Sequence, residues 1–384
     1  MTWLVLVPLA IWIYLLLGRG MFWRLRERDN RDEPVLLPEV WPSVAVIVPA
    51  RNEADVIADA FGSLLRQDYP GAFRIVLMDD QSTDGTADAA LARTREFGDQ
   101  TRAQVVAGTL RPSGWTGKLW AMQQGVRHVL REGSPDYWLF TDADIRHSPD
   151  NLRRLVARAE ERRLVLVSLM AKLHCGNFAE KLLIPAFVFF FDMLFPFAWA
   201  NDPARRTAAA AGGCMLVRCQ ALVAAGGLDT IREEIIDDCA LARIMKSKGP
   251  IWLGLTKRAT SLRPYGGAGE IRRMIARSAY AQLDYSPLLL AGAVVGMLLV
   301  YAIGPLFALF GTGIVRLPAA IVWALMALAF QPMLRFYRLS PLWGLLLPVI
   351  GVLYTAFTVD SALQYWRGNG GMWKGRAQAI ARMT

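Results

Sequence analysis

The stretch Leu288–Phe310 runs for 23 residues without a charged side chain. At about 1.5 Å of rise per residue it is long enough to cross a hydrocarbon layer of about 30 Å. In such a layer the backbone must satisfy its own hydrogen bonds, so this part of the chain is restricted to helices. Pro318–Met333 and Leu342–Leu363 are two more segments of the same kind, separated by Arg335 and Arg338. Near the other end, Trp3 to Leu17 carries no charge and is followed by Arg19, Arg24, Arg26 and Arg28. This reads as an N-terminal membrane anchor over residues 1–23 whose C-terminal side faces the cytoplasm. A cleaved signal peptide is disfavoured, since no basic residue precedes the run and no small-x-small site follows it.

Composition agrees. Hydrophobic residues make up 54% of the 384, and with the 32 glycines the apolar share is roughly 62% against the ~45–50% of an ordinary soluble domain. That composition disfavours a purely soluble chain and excludes a disordered one. Lys and Arg number 43 against 33 Asp and Glu. That excess suits an anionic membrane surface or a phosphorylated substrate, and no basic stripe interleaved with aromatics points to nucleic acid. The cysteines Cys175, Cys214, Cys219 and Cys239 show no C-x-x-C spacing and read as reduced, inert thiols.

The charge rule places the Arg335/Arg338 loop in the cytoplasm, yet three full crossings would put the basic tail (364–384, with Arg367, Lys374, Arg376 and Arg382) outside. Either the last segment is re-entrant or interfacial, or one of the three is not a span. Residues 182–200 are also apolar, but Pro185, Asp192 and Pro196 interrupt them, and they read as a segment lying in the membrane surface.

Between the anchor and Leu288 the pattern changes to an α/β domain, residues 40–286. Val44–Val48, Arg74–Met78 and Tyr137–Phe140 are short β-branched or aromatic runs, each ending at polar residues that open a helical stretch. Strands alternating with helices predict a parallel, doubly wound sheet with ligands at the carboxyl ends of its strands. The acids gather at those ends. Asp79 and Asp80 in MDDQSTDGT suit the N–H and hydroxyl donors of a base and ribose, or form an ordinary strand-to-helix turn. Asp142 and Asp144 in TDAD suit a divalent cation and the diphosphate it bridges, though such pairs also occur as solvated turns. Asp237 and Asp238 open a helical run, where they either complement the helix dipole or supply a general base. Lys118, in GWTGKLWAMQQG, is a candidate phosphate partner.

The ordered set PARNE (49–53), DDQSTDGT (79–86), GKLWAMQQG (117–125), TDAD (141–144), AGGCMLVRCQALVAAGGLD (211–229) and DDCALA (237–242) resembles the family 2 inverting glycosyltransferases of the GT-A fold. With the flanking apolar segments and WKGR at 373–376, it looks most like the hopene-associated membrane glycosyltransferases, relatives of ceramide glucosyltransferase. The resemblance implies an α/β GT-A domain between N-terminal and C-terminal transmembrane helices, in a multi-pass protein of the cell inner membrane with its catalytic domain cytoplasmic. It assigns Ala50, Glu53, Asp79 and Asp80 to the nucleotide, and Asp142 and Asp144 to Mn²⁺ or Mg²⁺ and the diphosphate. It makes Asp238 the base, with Asp237 where relatives more often have Glu. The Q-x-x-R-W element of many relatives is absent; Arg277 stands in that region and is left to hold the diphosphate. The implied partners are a nucleotide-diphospho-sugar donor and a membrane lipid carrying a hydroxyl, a hopanoid or related lipid. The rival readings are a processive polysaccharide synthase, which would want the missing element and a polymer channel, and a catalytically silent scaffold that binds nucleotide sugar.

Overall fold

The computed structural model describes residues 3–30, 36–98, 101–375 and 378. The tail residues Arg376 and Arg382 lie outside the described residues. Eight strands are β1 Val44–Ala50, β2 Phe73–Asp79, β3 Ala103–Ala107, β4 Tyr137–Thr141, β5 Ile145–His147, β6 Leu166–Lys172, β7 Cys214–Arg218 and β8 Ile251–Ser261. The helices are α1 Trp3–Gly18, α2 Ile57–Leu65, α3 Thr86–Phe97, α4 Gly117–Leu130, α5 Asn151–Glu161, α6 Phe178–Leu194, α7 Phe197–Asn201, α8 Cys219–Ala224, α9 Asp237–Lys246, α10 Ala268–Ala276, α11 Pro287–Tyr301, α12 Ile303–Phe310, α13 Arg316–Phe336 and α14 Leu347–Trp366. They form two compact units, Glu27–His174 with Trp199–Arg263, and Met1–Arg26 with Cys175–Ala198 and Pro264–Thr384.

The first unit is one eight-stranded sheet in the order β3-β2-β1-β4-β7-β6-β8-β5. Along β1, Val44, Val46 and Val48 point into one core with Ile57 and Phe61 of α2 and Leu155 of α5. Ala45 and Ile47 point into the other, with Leu119 and Met122 of α4 and Leu241 of α9. Both faces are covered, which is why VAVIV reads as an unbroken apolar run. The three expected strands are β1, β2 and β4, and they are parallel. The expectation of an all-parallel sheet is corrected: β7 runs antiparallel to β4 and β6, and β5 antiparallel to β8. Strand direction is set by how the chain returns, and the return to β7 comes after the excursion through α6, which local pattern does not encode. The reversal has a consequence: Cys214 pairs with Thr141, so the two glycines just before β7 arrive at the carboxyl end of β4.

The second unit is helical. Three of its helices are long and apolar enough to cross a membrane: Pro287–Phe310, Gly313–Phe336 and Pro341–Trp366. α1 has 16 residues, fewer than the about 20 a span needs, so the expected N-terminal transmembrane helix is a short apolar helix instead. Its buried Trp12 donates Nε1–H to the Val300 carbonyl (3.0 Å) and meets Tyr301 edge-on. α6 continues through Pro185 and stops before Pro196. Phe189 packs on Phe22 and Phe330, and Phe190 on Tyr301 and Tyr354. The buried Asp192, which looked like an obstacle to a span, accepts the Phe197 N–H (3.0 Å) and starts α7.

The path of the last helix bears on the charge conflict. Pro341–Leu346 is a 3₁₀ segment that moves back along α13: the Pro341 carbonyl accepts from Gln331, and the Leu345 carbonyl from Trp323. α14 then runs antiparallel to α11, with Gly351 against Tyr301 and Ala362 clustered with Leu290. The end of α14 therefore lies beside the start of α11, on the same side of this unit.

Candidate functional site

In the first unit two loops follow β1 and β2 and are tied to each other. Asp80 N–H donates to the Ala50 carbonyl (2.8 Å), Asn52 N–H to Ser82 Oγ (3.0 Å), Glu53 N–H to Thr86 Oγ1 (2.8 Å), and Thr83 N–H to Asn52 Oδ1 (2.9 Å). Asn52 reaches this geometry at φ 51°, in the left-handed region that Asn tolerates better than most residues. Asp80 is fully buried against the Arg51 guanidinium (3.5 Å), and Asp79 is buried beside it. Ala50 contributes only backbone.

Two charged groups flank the turn after β4. On one side, Arg263, just past β8, pairs with Glu53 and lies 3.9 Å from Asp144, which also accepts from Ser261 Oγ (2.7 Å). Sequence reasoning missed Arg263. Only its position two residues beyond a strand could have marked it, and that strand was not recognised. On the other side, Lys118 at the start of α4 bridges Asp142 (2.9 Å) and Asp237 (3.1 Å). Burial alone would lower the lysine pKa, but these two carboxylates push it well up, so the group is a fixed cation.

Asp238 is held at both oxygens. Oδ2 accepts the Gly212 N–H (2.9 Å) and Oδ1 the Cys239 N–H (2.7 Å). Burial and the neighbouring Asp237 raise its pKa to about 6, against the pull of Lys118 and the two N–H groups. A Cβ at Gly212 would stand 2.9 Å from Lys118 Nζ, so a side chain there would push the lysine from its present place. The fold thus gathers Glu53, Asp79, Asp80, Lys118, Asp142, Asp144, Asp237 and Asp238 in one unit. Arg277 is not among them; it caps the end of α10 in the helical unit.

Among the described residues no three His, Cys, Asp or Glu side chains form a group able to hold a metal ion. Asp142 and Asp144 still suit Mn²⁺ or Mg²⁺, since a hard cation of this kind is commonly held by one or two carboxylates together with substrate phosphates. The four cysteines are free thiols.

His147, also missed, is buried between Thr141 and Asn151, and burial lowers its pKa to about 4. Its unfolded value is near 6.5, so the unfolded state binds the extra proton between those values. Stability is fully present above about pH 6.5 and is lost as pH falls toward 4, at up to about 1.4 kcal/mol per pH unit. Thermal melts of the purified protein from pH 7 to 4.5 are expected to show this slope, and His147→Asn to flatten it.

Residues 45–224 match the family model described as glycosyl transferase family 2. An N-acetylglucosaminyltransferase of Mesorhizobium japonicum is 29% identical over 143 residues, 37% of this chain and 31% of that protein. Another, from Rhizobium leguminosarum bv. viciae, is 30% identical over 135 residues, 35% of this chain and 28% of that protein. The chain thus spans about a third of the length of these relatives. Among solved structures, the mannosyltransferase PcManGT from Pyrobaculum calidifontis, in complex with GDP-Man and Mn²⁺, aligns with a TM-score of 0.54 at 19% identity, covering 97% of this chain and 100% of that one. That likeness is one of fold.

Proposed function

We propose, from the glycosyl transferase family 2 region at residues 45–224, that this chain is a membrane-bound glycosyltransferase. It moves a sugar from a nucleoside diphosphate donor to the hydroxyl of a lipid, with inversion at the anomeric carbon. The observation that carries the reading is the pairing of a doubly hydrogen-bonded Asp238 with the Lys118–Asp142 ion pair across Gly212. A carboxylate with its pKa raised to about 6 is suited to take a proton near neutral pH.

Asp238 removes the acceptor proton as the hydroxyl oxygen attacks C1, and the bond from C1 to the diphosphate breaks. Lys118 supplies positive charge toward the departing diphosphate, and Asp237 holds that lysine in place. Glu53, Asp79 and Asp80, with the Ala50 backbone, receive the nucleotide, and Arg263 keeps Glu53 and Asp144 in register. Arg277 is reserved for the diphosphate by resemblance alone. Asp142 and Asp144 would hold Mn²⁺ or Mg²⁺, which when bound neutralises charge on the diphosphate.

The N-acetylglucosaminyltransferase relatives make N-acetylglucosamine the first sugar to test, and the apolar helices make a membrane lipid, a hopanoid or related compound, the first acceptor. Mass spectrometry of lipid extracts with and without the gene is expected to show one glycolipid lost; unchanged lipids would overturn the acceptor assignment.

The reading also implies a sidedness. Nucleotide sugars are cytoplasmic, the Arg335/Arg338 loop follows α13, and the end of α14 lies beside the start of α11. The catalytic domain and the tail, with Arg367 and Lys374, are therefore assigned to the cytoplasmic side of the inner membrane, as the charge rule wants. A C-terminal green fluorescent protein fusion is expected to fluoresce, whereas an active periplasmic phosphatase fusion at the same point would reverse the topology.

A further inference from the structure

Behind the acidic turn lies a chain of buried polar side chains that the chemistry above leaves unused. Thr141, His147 and Asn151 are 1%, 3% and 1% exposed. Asn151 Nδ2 lies 2.8 Å from His147 Nδ1, and His147 Nε2 lies 2.9 Å from Thr141 Oγ1. The Thr141 hydroxyl donates to the Gly213 carbonyl at 2.8 Å. An amide NH₂ only donates, so Nδ1 is the acceptor and Nε2 carries the ring proton. Thr141 receives that proton's bond and gives its own to Gly213. Every donor has one acceptor and the chain has one direction. The second amide hydrogen of Asn151 faces Cys214 Sγ at 3.8 Å, so the two ends of the chain meet adjacent residues, the Gly213 carbonyl and the Cys214 side chain.

The elements joined are the ones the reaction needs in register. Thr141 ends β4 and immediately precedes Asp142, while His147 ends β5, three residues after Asp144. Asn151 begins α5. Gly213 follows Gly212, whose N–H holds Asp238 and whose bare Cα leaves room for Lys118. Three polar groups kept in a core that apolar side chains would fill without desolvation cost need a reason beyond packing.

We propose that Thr141, His147 and Asn151 are positioning residues, a one-way hydrogen-bond relay that locks the Gly212–Gly213 turn, and through it Asp238, in register with the Asp142/Asp144 turn. The proposal rests on the roles assigned above to Asp238 and the Asp142/Asp144 pair.

The test compares Thr141→Val, which keeps the shape and removes the hydroxyl, with Thr141→Ser, which keeps the hydroxyl. Hydrogen–deuterium exchange on the purified full-length protein reads the backbone N–H groups of Gly212–Cys214 and Cys239. Loss of one buried hydrogen bond loosens the turn it holds, so exchange there is expected to rise about tenfold or more in Thr141→Val and to stay near wild type in Thr141→Ser. With UDP-N-acetylglucosamine as the probe donor, kcat is expected to fall about tenfold in Thr141→Val while the donor KM holds within about twofold, the split of a displaced base rather than a damaged donor site. Faster exchange confined to residues 137–147, or equal damage in the Ser variant, would overturn the relay. Should Thr141→Val fail to fold, Asn151→Ala serves in its place, and unchanged exchange at Gly212–Cys214 in that variant is equally fatal. A wild type without transfer activity would count against the proposed function alone, because the exchange pattern still decides the relay.

Discussion

Asp238→Asn is expected to lower sugar transfer by about 10²–10⁴-fold while nucleotide binding persists, the loss that follows if a general base is removed. The carboxylate lies at the start of α9, and its two oxygens are fixed by N–H groups from different parts of the chain, Gly212 and Cys239. It is held for one geometry rather than left to rotate. Asparagine has one carbonyl oxygen and one NH₂, so the variant keeps one of those two contacts and sets NH₂ against the other N–H. A thermal melt therefore accompanies the assay, to separate a local loosening from the loss of the base. Wild-type kcat/KM is expected to fall below about pH 6 as Asp238 becomes protonated, following its raised pKa. Near-normal turnover in the Asn variant would move the role to Asp237, whose carboxylate sits on Lys118.

The second large effect is on the cation. Excess chelator is expected to abolish transfer, and Asp144→Ala to weaken nucleotide binding only when Mn²⁺ or Mg²⁺ is present, by about 10²-fold or more if the ion supplies several kcal/mol at the diphosphate. Asp144 is also tied to Ser261 and lies near Arg263. Calorimetry with and without metal separates the two contributions: a loss of binding in both conditions would mean that Asp144 acts through Arg263, and full activity in chelator would remove the metal from the reaction.

The acids of the site are legible because strand ends are legible. Asp79, Asp142 and Asp144 follow short apolar runs, and β1, β2 and β4 fall where those runs are, since a strand buried on both faces leaves an unbroken apolar signature. The three long apolar segments near the C-terminus are equally plain, for length and scarcity of charge are properties of the segment alone. α1 marks the limit of that reasoning: its composition is as apolar as a span's, but the described helix, Trp3–Gly18, has 16 residues, short of the about 20 a span needs.

What the sequence did not carry is how distant segments meet. Arg263 and Glu53 are 210 positions apart and His147 is an unremarkable residue in a polar stretch, so neither announces its partner. The direction of β7 depends on the route of the chain through α6 and back, and that direction alone delivers Gly212 to Lys118 and Asp238. The side on which α14 ends depends on Pro341–Leu346 doubling back along α13, a packing choice invisible to a hydropathy count. Local pattern determined which residues are buried, which face a membrane-like medium and which acids stand at strand ends, because each follows from the solvation of neighbouring side chains. Tertiary structure decided strand direction, the pairing of Lys118 and Arg263 with their carboxylates and the raised pKa of Asp238, because those depend on distances between groups that only the folded chain brings within hydrogen-bonding range.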